Sequence, residues 1–256
     1  MAHTSGRPSI SWVVLLGAVL LIVSVLLLLA APLGYRSGAV PLRFALLTLL
    51  AWGVYLAIGA AVVSLIGLII TLARAKEKRR GLLLGAASLV VALALIAVPA
   101  RFRMGTPPPP IHDITTDTQD PPQYVAVLPL RADAPNTTEY GGERVAVQQR
   151  EAYPDLQSAM LNVPVSQAFE RALATAREMG WEIVAADAAA GRIEATDTTF
   201  WFGFKDDVVI RIRPSNGGSR VDVRSLSRVG VGDAGTNAKR IRAFLDVLTK
   251  PDRGAT

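Results

Sequence analysis

The sequence predicts an α+β protein: N-terminal transmembrane α-helices, then a two-layer domain in which an antiparallel sheet of about four strands or more is covered by two helices. Three observations lead there. The first 100 residues hold three long uncharged apolar stretches. A run of four prolines, Pro107 to Pro110, follows them. Beyond Pro164 the apolar residues recur first at helical spacing, then on alternate positions, then at helical spacing again.

Ile10 to Ala31 form an uncharged stretch of 22 residues, Phe44 to Leu72 one of 29, and Gly81 to Val98 one of 18. Crossing the hydrocarbon of a bilayer takes about 20 apolar residues, so all three are read as spans, at about 10–31, 44–72 and 81–98. The second is long enough to tilt. Ala30-Ala31-Pro32 resembles the end of a signal peptide, but the apolar run exceeds the roughly 7–15 residues of such a segment, so the span is expected to be retained. Gly81 and Gly85 have the Gly-x-x-x-Gly spacing that lets two helices approach closely. No charged residue lies inside a span, which argues against a transporter with an intramembrane ion site.

Charge separates the two halves. Residues 1–110 carry 10 Lys and Arg and one acid, Glu77; residues 111–256 carry 17 basic and 20 acidic residues, which gives +9 and −3 and the total of +6. The basic character therefore belongs to the membrane half, and no nucleic-acid partner is expected. The loop between spans two and three holds Arg74, Lys76, Lys78, Arg79 and Arg80, against Arg36 and Arg43 in the loop before it. The more basic short loop stays in the cytoplasm. The prediction is a multi-pass cell-membrane protein, such as one of a bacterial inner membrane, with a cytoplasmic N-terminus and a periplasmic or otherwise extracytoplasmic C-terminal domain. Arg7 agrees with this orientation; Arg101 and Arg103 oppose it mildly.

Residues 101–110 read as a Pro-rich linker, its four prolines forming an extended polyproline spacer. The soluble domain spans 111–256. Residues 111–160 are expected to be mostly irregular, with one short strand at Tyr124 to Leu130. A helix follows, carrying Phe169, Ala172, Leu173, Ala176 and Met179 on one face and ending at Gly180. Strands follow at Trp181 to Ala185 and Ile193 to Thr198 around a turn at Ala188 to Gly191, then an aromatic strand at Phe200 to Phe204. A hairpin joins Val208–Arg213 to Ser219–Leu226. The last helix covers about Thr236 to Leu248, with Asp233 near its start as a cap.

The hairpin register has two solutions. With an Asn216-Gly217 turn, Ile212 faces Val221, Ile210 faces Val223, Arg211 faces Asp222 and Val209 faces Arg224. With a Gly217-Gly218 turn, Arg213 faces Asp222. Either way a charged, solvent-side face results, which reads as a solvated face or as an anion-binding surface. The candidate ligand-binding set is Arg211, Arg213, Asp222, Arg224, Ser227, Arg228, Gly230, Gly232 and Asp233.

Other constellations carry less. Cysteine is absent and His3 and His112 are the sole histidines, so neither a thiolate nor a His-based metal centre is expected. Asp206 and Asp207 are neighbours that point to opposite faces of a strand, and a turn or edge role is expected for them. Gly230 to Gly235 fits Gly-x-Gly-x-x-Gly but lacks the parallel strand and the later acidic residue of a dinucleotide site. A simple anion at that helix start, with Arg228 nearby, is the alternative to a plain connection. Asp113, Asp117 and Asp120 lack the spacing of a calcium loop. No cofactor, metal or catalytic residue is assigned.

Several segments together resemble one family. They are His112-Asp113-Ile114-Thr115-Thr116-Asp117, Tyr153-Pro154-Asp155, Gly191-Arg192-Ile193-Glu194-Ala195, and Phe202-Gly203-Phe204-Lys205-Asp206-Asp207-Val208. Asp222 to Gly230 and Gly235 to Arg242 complete the set. Residues 111–249 are thereby similar to the family called domain of unknown function 1499. That resemblance implies no reaction, cofactor or ligand. The functional expectation is a membrane-anchored cell-envelope protein acting as a binding or interaction module outside the cytoplasmic membrane. Its partners would be the lipid bilayer and envelope proteins or an anionic ligand. Two alternatives stand beside it: an envelope hydrolase using Asp206, Asp207 or His112 with Ser225 or Ser227, and a structural subunit of a membrane complex.

Overall fold

The computed structural model describes residues 10–74, 79–103 and 107–250. Arg7, the loop residues Lys76, Glu77 and Lys78, and linker residues 104–106 lie outside them. The chain divides into two compact units, 1–106 and 107–256.

The first unit is helical: α1 covers Trp12–Arg36, α2 Leu42–Leu72 and α3 Leu82–Arg103. In α2 the stretch Ala45–Leu50 is wound as a π-helix. Helices α1 and α2 are long and apolar enough to cross a membrane. The apolar part of α3, Leu82–Val98, is shorter. Large aliphatics such as Leu26, Ile69 and Val90 point outward, while Gly17, Gly53, Ala57, Ala60 and Gly67 are buried between helices. Small residues let the backbones meet. A Cβ at Gly67 would press on Val14, and one at Gly85 on Leu68. The Ser24 hydroxyl, buried in this seam, donates to the Gly53 carbonyl at 2.7 Å.

The second unit is a two-layer α+β domain around a six-stranded antiparallel sheet. Its elements are β1 (Asp113–Thr115), α4 (Gly142–Ala152), β2 (Ala159–Leu161), α5 (Val165–Glu178), β3 (Glu182–Asp187), β4 (Arg192–Thr198), β5 (Lys205–Ser215), β6 (Gly218–Ser227) and α6 (Thr236–Leu248). The sheet order is β1-β6-β5-β4-β3, with β2 also paired to β6. The β5–β6 register follows the Asn216-Gly217 solution, with Ile212 opposite Val221 and Arg211 opposite Asp222. Both turn residues have positive φ, 43° and 81°. That backbone matches the twist of the flanking strands, and Asn-Gly tolerates it.

One sheet face holds the main core. Ile193, Val208, Ile210, Ile212, Val221 and Val223 meet Phe169, Ala172 and Leu173 of α5 and Ile241, Phe244 and Leu248 of α6. The Trp181 ring stacks on Phe244 with centroids 5.4 Å apart. Helix α5 ends at Gly180, whose φ of +76° closes the turn.

Four expectations need correction. Tyr124 to Leu130 is no strand: Pro121, Pro122 and Pro129 break the ladder, a 3-10 turn covers Leu128–Arg131, and the Val125 and Val127 amides donate to the Glu194 carboxylate. Phe200 to Phe204 is the turn joining β4 to β5, closed by the Thr199 amide on the Phe204 carbonyl at 2.9 Å. Residues 111–160 are less irregular than expected, since they contain β1, α4 and β2. Asp206 and Asp207 lie inside the central strand β5, not at a turn or edge.

Candidate functional site

The second sheet face carries the candidate arginines, and its middle, with Asp207, Asp222 and Arg224, is buried and not solvent-side, while Arg213 at the hairpin end stays exposed. Strand alternation puts Asp222, Arg224, Leu226 and Arg228 of β6 and its extension on it, with Asp207, Val209 and Arg211 of β5 opposite. The segment between β1 and α4 covers this face. Tyr124 and Val127 pack there on Val209 and Leu226, forming a small second core. The Tyr124 hydroxyl donates to the Asp207 carbonyl at 2.9 Å. Burial pushes its pKa well above the ordinary value.

Charges on this face satisfy one another. Arg224 is fully buried. It grips Asp113 through two bonds, Nε to Oδ1 at 2.9 Å and Nη2 to Oδ2 at 2.8 Å. It also donates to the carbonyls of Pro122 and Thr138, and lies over the rings of Tyr124 and Tyr140. Asp207 receives Arg131 and Arg228, each at 2.8 Å. The buried Glu194 carboxylate takes the Val125 and Val127 amides and pairs with Arg192 at 3.0 Å. Charge-assisted bonds of this kind fix geometry, and each leaves a costly unpaired group if one partner is lost.

The predicted set does not converge on one surface. Arg211, Arg213 and Arg220 meet Asp117, Asp120 and Asp222 in a cluster of three cations and three carboxylates. Hydrogen bonding to Arg213 holds the Asp120 carboxyl below the ordinary range. Arg228 lies six residues along from Asp222, roughly 20 Å away at strand spacing. Arg224 sits between them under its cover. Asp206 points to the helix face, where Arg240 bonds it at 2.6 Å and Asp197 at 2.7 Å. Asp206 and Asp207 thus face apart, as alternation requires.

Ser225 and Ser227 pair with Asn237, at 2.7 and 2.9 Å. The His112 ring does not reach them; its Nδ1 is 3.0 Å from the Val231 carbonyl. In the glycine loop, Asp233 accepts the Gly235 and Asn237 amides at 2.8 and 2.7 Å. Its carboxylate therefore occupies the place an anion would take at the start of α6. Burial raises its pKa. Asp233 thereby serves as a cap, although Gly235 is the residue adjoining the helix.

A cleft of about 270 Å3 opens between Pro110–Asp113, Thr137, Glu139, the start of α4 (Gly141, Arg144, Val145) and Val231. Glu139 and Arg144 are exposed and form no ion pair among the described residues. The spacing of residues 137–145 gave no signal for this cleft, because it forms only when β1, α4 and the glycine loop converge. Among the described residues no group of three His, Asp or Glu is arranged to hold a metal.

Two helices long and apolar enough to cross a membrane, together with one α+β domain built on an antiparallel sheet, define the class. Residues 113–248, more than half of the chain, match the family described as protein of unknown function (DUF1499), and the chain belongs to that family. No curated protein matches the chain significantly.

Proposed function

We propose that this is a membrane-anchored cell-envelope protein whose α+β domain is a binding or interaction module displayed outside the cytoplasmic membrane. The apolar helices anchor it, α3 serving as a third span, and the basic loop after α2 sets the orientation. The observation that carries the reading is a contrast in how charges are used. The candidate arginines of the sheet are paired inside the domain, while Arg144 and Glu139 stand ready at an open cleft. A stiff, internally paired scaffold presenting a few unengaged polar groups is what recognition requires. His112, Arg144 and Glu139 together suit a polar ligand or peptide segment bearing both signs of charge.

The test is purification of the full chain in detergent, with mass spectrometric identification of the lipids, proteins and small molecules that accompany it. A species retained by the natural chain and lost from the Arg144→Ala, Glu139→Gln double variant supports the cleft. An identical profile for the two removes it. A reporter fused after Thr256 checks the orientation, and activity confined to the cytoplasm would overturn the displayed arrangement.

A further inference from the structure

The antiparallel register sorts the connections of the domain to two ends of the sheet. Asp113 pairs with Leu226, Ser227 with Asp206, and Lys205 with Thr198. The entry of the chain at Pro110, the β4–β5 turn and the glycine loop after β6 therefore share one end. Contacts bear this out: the Asp233 amide donates to the Ile111 carbonyl at 3.3 Å.

That end is unusually apolar for a surface. Phe200 is 80% exposed, Trp201 64% and Val231 79%. The turn is built to hold the rings outward. The Gly203 amide bonds the Thr199 carbonyl at 3.0 Å, Gly203 has a φ of +66°, and Phe202 stacks on Phe204 beneath. Phe200 and Trp201 meet edge to face at 5.3 Å, so they form one wedge. Exposed Lys205 follows the turn, and exposed Lys239 lies in the first turn of α6, whose Arg240 bonds Asp197 and Asp206 at this same end.

We infer that the β4–β5 turn is a second, interfacial membrane anchor: Phe200 and Trp201, with exposed Val231 of the glycine loop at the same end of the sheet, insert at the headgroup level of the bilayer that the helices cross. This rests on the anchored reading above. Seven residues, 104–110, separate the end of α3 from Ile111, and of these Pro108 and Pro110 already lie against the glycine loop, which keeps the linker short. They enter the domain at the end that carries the wedge. Tryptophan and its neighbours favour the interface, where an apolar ring body and a polar edge are both satisfied. Lys205 and Lys239 supply attraction to anionic headgroups.

The chain has no cysteine, so single labels can be placed in the full protein. Nitroxides at Phe200→Cys and, separately, Trp201→Cys would be compared in vesicles of phosphatidylcholine and phosphatidylglycerol, with Val62→Cys in α2 and Met160→Cys in β2 as references. Collision with dissolved oxygen against collision with a water-soluble nickel chelate reports depth. The expected result is a shift toward oxygen at 200 and 201, full immersion at 62, and an aqueous signal at 160. Immersion at 62 with aqueous signals at both 200 and 201 overturns this inference and leaves the spans standing. An aqueous signal at 62 removes the anchored reading and the inference together. Labels that are aqueous in lipid and become immobilised only when envelope protein extract is added also overturn it, in favour of a protein partner.

Discussion

Truncating Arg224 probes what holds the second sheet face closed. In Arg224→Ala the Asp113 carboxylate, 5% exposed, loses both its bonds, and the carbonyls of Pro122 and Thr138 lose a donor. Removing one member of a buried ion pair costs about 3–5 kcal/mol, because the other charge stays behind without water. The contacts of the guanidinium with the Tyr124 and Tyr140 rings add to the loss, though not as a separate sum. The expected destabilisation is about 4 kcal/mol, which for a domain of this size lowers Tm by roughly 12 °C. The assay is thermal unfolding of the full chain in detergent, followed by near-ultraviolet circular dichroism of the aromatic residues. The Asp113→Leu, Arg224→Met double variant should recover more than half of the loss, since no unpaired charge remains. A fall in Tm under about 3 °C for Arg224→Ala would show that the cover is not held by this pair, and the account of the sealed face would be wrong.

Three further outcomes follow from the same structure. Phe244→Ala should cost about 3–5 kcal/mol in the same melt, because the ring is fully buried and stacked on Trp181 and its loss leaves a cavity between α6 and the sheet. Gly191→Ala should cost about 1–3 kcal/mol: its φ is +60°, and the added Cβ would run into the Ile212 carbonyl oxygen. Asp155 is held below its ordinary value of 3.8 by its hydrogen bonds from Arg242, so the stabilisation from this pair is complete above 3.8 and is lost as pH falls toward the folded value. In Arg242→Ala, a carboxyl NMR titration should show the Asp155 midpoint move up toward 3.8, and an unmoved midpoint would deny the pairing.

Period and turn chemistry made the second half of the domain legible. Phe169, Ala172, Leu173 and Ala176 lie on one stripe because 3.6 residues make a turn, and they are the residues α5 buries. Asn216-Gly217 favours one two-residue turn, and with it the pairing of Ile212 to Val221. Residues 111–160 were poorly legible. Strands β1 and β2 have three residues each, too few for a period to show, and they exist because β6 offers its edge to both. The aromatic run 200–204 has strand composition, yet the hydrogen bonds around Thr199 and Gly203 make it a turn.

The sequence by itself determined the division into an oily half and a folded half, the α+β class, the hairpin alternation and the family resemblance. These depend on local periodicity and on transfer of side chains out of water, which are readable along the chain. Tertiary structure alone decided that the charged face is covered, that Arg224 meets Asp113 across 111 residues of sequence, and that entry, wedge and glycine loop share one end. Those facts depend on which distant segments meet, and a buried charge is stable only where such a meeting supplies its partner.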